Sequence, residues 1–128
     1  MKIPSILFID DEEIIAKTVG DDLEEAGYAV TIASNGEDGI KLFETESFDM
    51  VITDLIMEGK DGMVVIDEIR KTSPELPVVI LTGYASKNLA DKARHLTAVK
   101  YLLKPCKREE LIQKVKECLN PKETRKGF

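Results

Sequence analysis

The stretch Ile6-Leu7-Phe8-Ile9-Asp10-Asp11-Glu12-Glu13 sets four large apolar residues directly against four acids, with no base among them. Its apolar half is continuous and β-prone, the pattern of a strand covered on both faces in a parallel sheet. Its acidic half begins where that strand must stop. Several negative charges at the end of a buried strand need a compensating partner from elsewhere in the chain or from solution.

Working outward, comparable apolar runs lie at 50–52, 78–81 and 99–103, the last interrupted by Lys100. A weaker run at 29–33 alternates Val30 and Ile32 with small residues. Helical patterns fill the gaps. Ile15, Val19, Leu23 and Ala26 recur at helical spacing before Gly27, a natural C-terminal stop. Asn35 is placed to cap a second helix carrying Ile40 and Phe43. Asp61 is placed to cap a third carrying Val65, Ile66 and Ile69, which must end near Pro74. Ser86 is placed to cap a short, polar fourth. Leu111, Ile112, Val115 and Leu119 stripe a fifth. The order is (βα)5, an α/β chain forming a single doubly wound domain with helices on both faces of an open parallel sheet. The domain is expected over 1–120, with 121–128 a charged, frayed tail.

The totals agree. A length of 128 residues suits one domain large enough for a core without disulfides. A net charge of −6 argues against direct nucleic-acid binding, since a polyanion is repelled. No apolar run approaches the ~20 residues needed to span a bilayer, and Met1-Lys2-Ile3-Pro4 does not open a signal peptide. The expectation is a cytoplasmic protein without membrane contact, its Cys106 and Cys118 reduced. His95, the sole histidine, reads as a surface residue, and Met50, Met57 and Met63 read as packing.

In open α/β sheets, ligands bind outside the carboxyl ends of the strands. Asp10 and Asp11 end the first strand, Asp54 the third, Thr82 the fourth and Lys104 the fifth. Three carboxylates and a lysine therefore converge. Like charges at close range raise one another's pKa, and a hard divalent cation such as Mg²⁺ relieves the conflict through oxygen ligands. Mg²⁺ with Lys104 roughly balances three acids and leaves room for a phosphoryl group. Asp54 is the best nucleophile, because a carboxylate is already ionised near neutrality and attacks phosphorus to give an acyl phosphate. The Thr82 hydroxyl is available to donate to a phosphoryl oxygen.

These pieces ("FIDDEE", "DLIMEGKDG", "LTGYAS" and "YLLKP", in order over residues 5 to 119) carry a resemblance. The chain resembles a response-regulator receiver domain of two-component signalling, of the chemotaxis type. The resemblance implies a flavodoxin-like sheet in strand order 2-1-3-4-5. It implies phosphotransfer to Asp54 from a sensor histidine kinase or a histidine phosphotransfer protein. It implies Mg²⁺, with Mn²⁺ able to substitute, held by Asp11, Asp54 and the backbone carbonyl of Ile56, with Asp10 acting through a water. Lys104 would contact the phosphoryl group, and Pro105 would follow a cis peptide that aims it. Thr82 and Tyr101 would form a switch: Thr82 moves toward the phosphoryl group and Tyr101 fills the space. The face made by the fourth helix, fifth strand and fifth helix would then bind an unspecified downstream partner, the domain acting as a monomer or weak homodimer. Self-catalysed phosphorylation and slow self-dephosphorylation would be its only chemistry. Ile56 and Tyr84 would flank the path of hydrolytic water, and neither can position it, which predicts a phosphoryl lifetime of minutes or longer.

The loops depart from the family pattern. Glu58 stands where a proline is usual, Lys60 where an apolar residue is common, and Cys106 where an aromatic is frequent. Gly83, in "LTGYAS", lies beside the site. Thr97 replaces a glycine, so a positive φ there would be strained. Glu58 keeps open an alternative, a receiver-like module that binds proteins without phosphorylation. A haloacid-dehalogenase-type phosphatase is disfavoured, because it needs an acid where Ile56 stands. Both a stand-alone regulator and a piece of a longer one remain compatible with the sequence.

Overall fold

A computed structural model of the chain describes residues 3–57, 62–83, 91 and 96–120. Its elements run β1 (Ser5–Ile9), α1 (Glu13–Glu25), β2 (Ala29–Ala33), α2 (Gly36–Thr45), β3 (Met50–Thr53), α3 (Gly62–Thr72), β4 (Val78–Thr82), β5 (Val99–Leu103) and α4 (Arg108–Leu119). The last corresponds to the fifth helix expected from sequence. The helix expected after Ser86, the Asp61 cap, Glu58, Lys60, Tyr84, His95 and the tail 121–128 lie outside the described residues.

All four strand pairings are parallel, in the order β2-β1-β3-β4-β5. Alternation along the strands divides the core into two layers. Leu7, Ile9, Val51 and Ile80 point to one face, where they meet Ile40 of α2 and Val65, Ile66 and Ile69 of α3. Ile6, Phe8, Ile52 and Leu81 point to the other, against Ala16 and Leu23 of α1 and Leu111 and Val115 of α4. Such side chains, lifted wholly out of water, contribute about 1.5–3 kcal/mol each. Helices cover both faces of the sheet, and in such folds ligands bind at the carboxyl ends of the strands.

The three inner strands match the continuous apolar runs. β2 and β5 are sheet edges and are only partly covered, with Ile32 at 45% exposed. The run at 29–33 is therefore weaker because a helix covers it less completely.

Local signals hold where the structure describes them. The Asn35 carboxamide oxygen accepts from the Asp38 N–H at 2.8 Å, capping α2. Gly27 follows α1 with φ of 105°, a conformation that suits glycine. α3 ends at Thr72, ahead of Pro74. One expectation needs correction. The positive φ before β5 falls on Ala98 (58°), not on Thr97. Thr97 escapes the left-handed region, and its carbonyl accepts a 2.6 Å hydrogen bond from Arg70.

Gly62 meets a different demand. α3 begins directly over the backbone that follows β3, and a Cβ at this position would collide with the Asp54 carbonyl oxygen and lie 2.9 Å from Leu55 Cα. The Gly62 N–H instead reaches the Leu55 carbonyl at 3.0 Å.

Candidate functional site

The sheet ladder runs one residue past the strands at the site. Asp10 donates its N–H to the Ala33 carbonyl at 3.0 Å, Asp54 to Ile9 at 3.1 Å, and Lys104 to Thr82 at 2.8 Å. Asp10, Asp54 and Lys104 thus sit on backbone held in sheet register, not on free loops. The Lys104–Pro105 peptide is cis, as the family resemblance implied.

Lys104 is the centre of the constellation. Its ammonium donates to Asp10 Oδ2 at 2.6 Å, to Asp54 Oδ2 at 2.9 Å and to Glu12 Oε1 at 3.1 Å. Asp10 and Asp54 are buried, at 1% and 4% exposed. The remaining carboxylate oxygens are occupied too. Asp54 Oδ1 accepts from the Ile56 N–H at 3.2 Å, and Asp10 Oδ1 from the Glu12 N–H at 2.9 Å. Thr82, at the end of β4, donates its hydroxyl to the Asp54 carboxylate.

These contacts divide the two aspartates electrostatically. Burial pushes the Asp10 carboxyl above its ordinary range, and its bonds from Lys104 and the Glu12 N–H only partly offset that. Burial pushes Asp54 the same way, but Thr82, Lys104 and the Ile56 N–H together hold it below the usual carboxylate range. Burial opposes the charge of Lys104, yet its acidic partners, Asp10 first, raise its pKa on balance. Asp54, with a hydroxyl, an ammonium and an N–H aimed at it, is the one of the two whose surroundings favour the charged form on balance.

The described residues contain one group of three potential metal-ligating side chains, Asp10, Glu12 and Asp54, with ligand oxygens all within 4.8 Å of one another. An all-oxygen, carboxylate-rich donor set at that spacing suits a hard cation such as Mg²⁺. Three carboxylates around one ammonium also leave an uncompensated negative charge, which a cation would relieve.

Asp10, Asp54, Thr82 and Lys104 therefore converge as expected. Asp11 is exposed and stands outside that three-carboxylate group. Ile56 contributes its N–H to Asp54, while its side chain is 56% exposed. Tyr101 is half-buried and packs against the core layer that contains Ile80, its partner in register. Gly83 is exposed at the site's edge, while Glu58 and Tyr84 lie outside the described residues. Glu12 was missed by sequence reasoning. Its only signal was the run of four acids, in which it looked no different from a solvated helix start.

A family description, the response regulator receiver domain, matches residues 6–116. The chain belongs to this family. The receiver is 35% identical over 114 residues to the transcriptional regulatory protein GlrR of Escherichia coli K12, which covers 89% of the chain but 26% of that protein. It is 38% identical over 122 residues to the probable transcriptional regulator ycf27 of Cyanidium caldarium, covering 94% of the chain and 48% of the relative. The receiver thus spans between a quarter and a half of these longer relatives. A crystallised receiver domain from Clostridium thermocellum superposes with a TM-score of 0.85 at 34% identity, covering 95% of this chain and 98% of the other. The receiver is a module of two-component signalling, and no helix among its described residues is long and apolar enough to cross a membrane.

Proposed function

We propose that this receiver accepts a phosphoryl group on Asp54 in a Mg²⁺-dependent reaction and passes the signal on by reshaping a protein-binding face. The observation that carries the proposal is the treatment of Asp54. It is buried yet held ionised, with Lys104 on one carboxylate oxygen, the Ile56 N–H on the other and the Thr82 hydroxyl as a third donor.

An Asp54 oxygen attacks phosphorus, forming an O–P bond. The P–N bond to a donor imidazole breaks, and its electron pair stays on that nitrogen. Lys104 would neutralise a phosphoryl oxygen and Thr82 would donate to one. A bound Mg²⁺ supplies charge neutralisation for the phosphoryl oxygens; Asp54 would hold it with Asp11 and the Ile56 carbonyl, and Asp10 through a water. The donor is a sensor histidine kinase or a histidine phosphotransfer protein. An apolar cavity of about 430 Å³ next to Lys104, lined by Ile14, Ile15, Val19, Pro105 and Cys106, offers a protein donor a docking surface.

The phosphoryl group carries close to two negative charges, and because Asp54 gives up its own the site gains about one. Drawing Thr82 toward them frees space that Tyr101 fills, changing the face of β5 and α4 together with the segment that precedes β5. Moving a population from 1:99 to 99:1 takes about 5.5 kcal/mol, within reach of a few charge-assisted bonds. The output is protein binding or an attached output domain, in the cytoplasm, without direct nucleic-acid contact by this domain, which carries a net charge of −6.

The test is incubation with acetyl phosphate and Mg²⁺, read by intact mass. Wild type should gain one phosphoryl group and lose it over minutes or longer. Asp54→Asn should gain none, and EDTA should block the reaction. Uptake that survives Asp54→Asn, or a wild type that stays unmodified, would overturn the proposal. The second outcome would favour the phosphorylation-independent binding module.

A further inference from the structure

Glu12 occupies the N-cap position of α1 with extended backbone (φ −88°, ψ 95°), yet its side chain makes no capping hydrogen bond. Short side chains such as Asp or Asn cap the free N–H groups of the first turn from that position, whereas the longer Glu arm can reach elsewhere. Here the carboxylate turns away and accepts from Lys104 at 3.1 Å.

That contact has a stoichiometric consequence. A lysine ammonium has three protons to donate. Lys104 spends them on Asp10 (2.6 Å), Asp54 (2.9 Å) and Glu12 (3.1 Å). A phosphoryl group on Asp54 takes over the Lys104 proton that Asp54 held, and following its outlying oxygens draws the ammonium away from the other two acceptors. The Asp10 side chain is fully buried and forms the shortest bond, whereas that of Glu12 is 55% exposed and forms the longest. Glu12 is the partner that water can take over at least cost.

We propose that Glu12 is a releasable brake on Lys104. It holds the ammonium in the unphosphorylated site and opposes a phosphoryl group by competing for that ammonium. Its negative charge meanwhile favours a divalent cation in the same pocket. The inference rests on Asp54 as phosphoacceptor. Glu12 is thus a positioning residue whose two effects have opposite signs, one against an anion and one for a cation. A residue needed only for folding would not separate them.

The experiment uses the full chain and the Glu12→Gln variant in two titrations. Beryllofluoride, a phosphoryl mimic, is titrated at saturating Mg²⁺ and followed by amide NMR. Mn²⁺ is titrated alone and followed by electron paramagnetic resonance. Removing the charge should tighten beryllofluoride binding about threefold and weaken Mn²⁺ binding about threefold, the scale of a partly exposed ion pair. The urea midpoint should not move. Glu12→Asp, which keeps the charge on a shorter arm, should retain wild-type Mn²⁺ affinity while still binding beryllofluoride more tightly. If wild type binds beryllofluoride and Glu12→Gln shifts neither affinity, or shifts both the same way, the brake is disproved alone. If wild type ignores beryllofluoride, the phosphoacceptor reading falls and takes the brake with it.

Discussion

Ile9 and Asp10 are chain neighbours and almost equally withdrawn from water, at 0% and 1% exposed. Their burial has opposite energetic meaning. Ile9 lies in an apolar layer with Leu7, Val51 and Ile80, where leaving water is itself favourable. Asp10 loses hydration and recovers only part of it through Lys104 and one N–H. The boundary between the layer that stabilises the fold and the pocket that strains it is a single peptide bond. The contrast teaches that the acidic edge is maintained by the core beneath it and contributes little stability of its own.

That contrast is open to test from both sides. The largest effect belongs to the core. Phe8 is fully buried with Leu23, Ile52 and Leu111, so Phe8→Ala should cost about 3–5 kcal/mol in urea unfolding. The loss should be indifferent to chelator and to pH near neutrality.

Next is Lys104→Met, which leaves buried Asp10 and Asp54 without their shared cation. In chelator at neutral pH it should cost roughly 2 kcal/mol, less than the ~3–5 kcal/mol of a fully buried pair because the carboxylates can take up protons. The raised pKa of Lys104 means its contribution is intact below the ordinary lysine value and is lost as pH rises through the raised one. The difference between variant and wild type should therefore shrink in acid, as the carboxylates protonate, and in strong alkali. A constant difference across pH would show that Lys104 acts through packing instead.

The smallest effect has the opposite sign. Asp10 is raised, so in the native state it binds its proton at higher pH than in the unfolded state. Wild-type stability thus falls as pH rises from the ordinary carboxylate value through the raised one. Asp10→Asn lacks that loss and should gain about 1 kcal/mol at neutral pH in chelator, with no gain well below the ordinary range. Asp54, held low, works the other way. Its contribution is present above the ordinary value and disappears as pH falls through the lowered one. Loss of stability in Asp10→Asn at neutral pH would show that the pocket is a net stabiliser after all.

The core was legible from sequence because strand periodicity and helix spacing are local. The runs at 6–9, 50–52 and 78–81, the Asn35 cap and the Gly27 stop each declare themselves within a few residues. The convergence of Asp10, Asp54, Thr82 and Lys104 followed from one general rule about strand ends. Glu12 did not, because its partner is Lys104, 92 positions away, and nothing nearby marks its side chain as turned from the helix. Ile32 illustrates the same limit. Its pattern is that of a strand, but its exposure depends on β2 lying at the sheet edge. The positive φ at Ala98 was displaced by one residue because motif comparison fixes which loop must turn, not which bond does.

The bare Cα of Gly62 has a mechanical corollary. With α3 seated on the Asp54 carbonyl, the backbone at Asp54 has a wall behind it. Under the proposed phosphorylation, that backbone could not retreat toward α3, and the adjustment would fall to groups on the open side, where Thr82 would move in. An absent methyl group is what lets the wall stand so close.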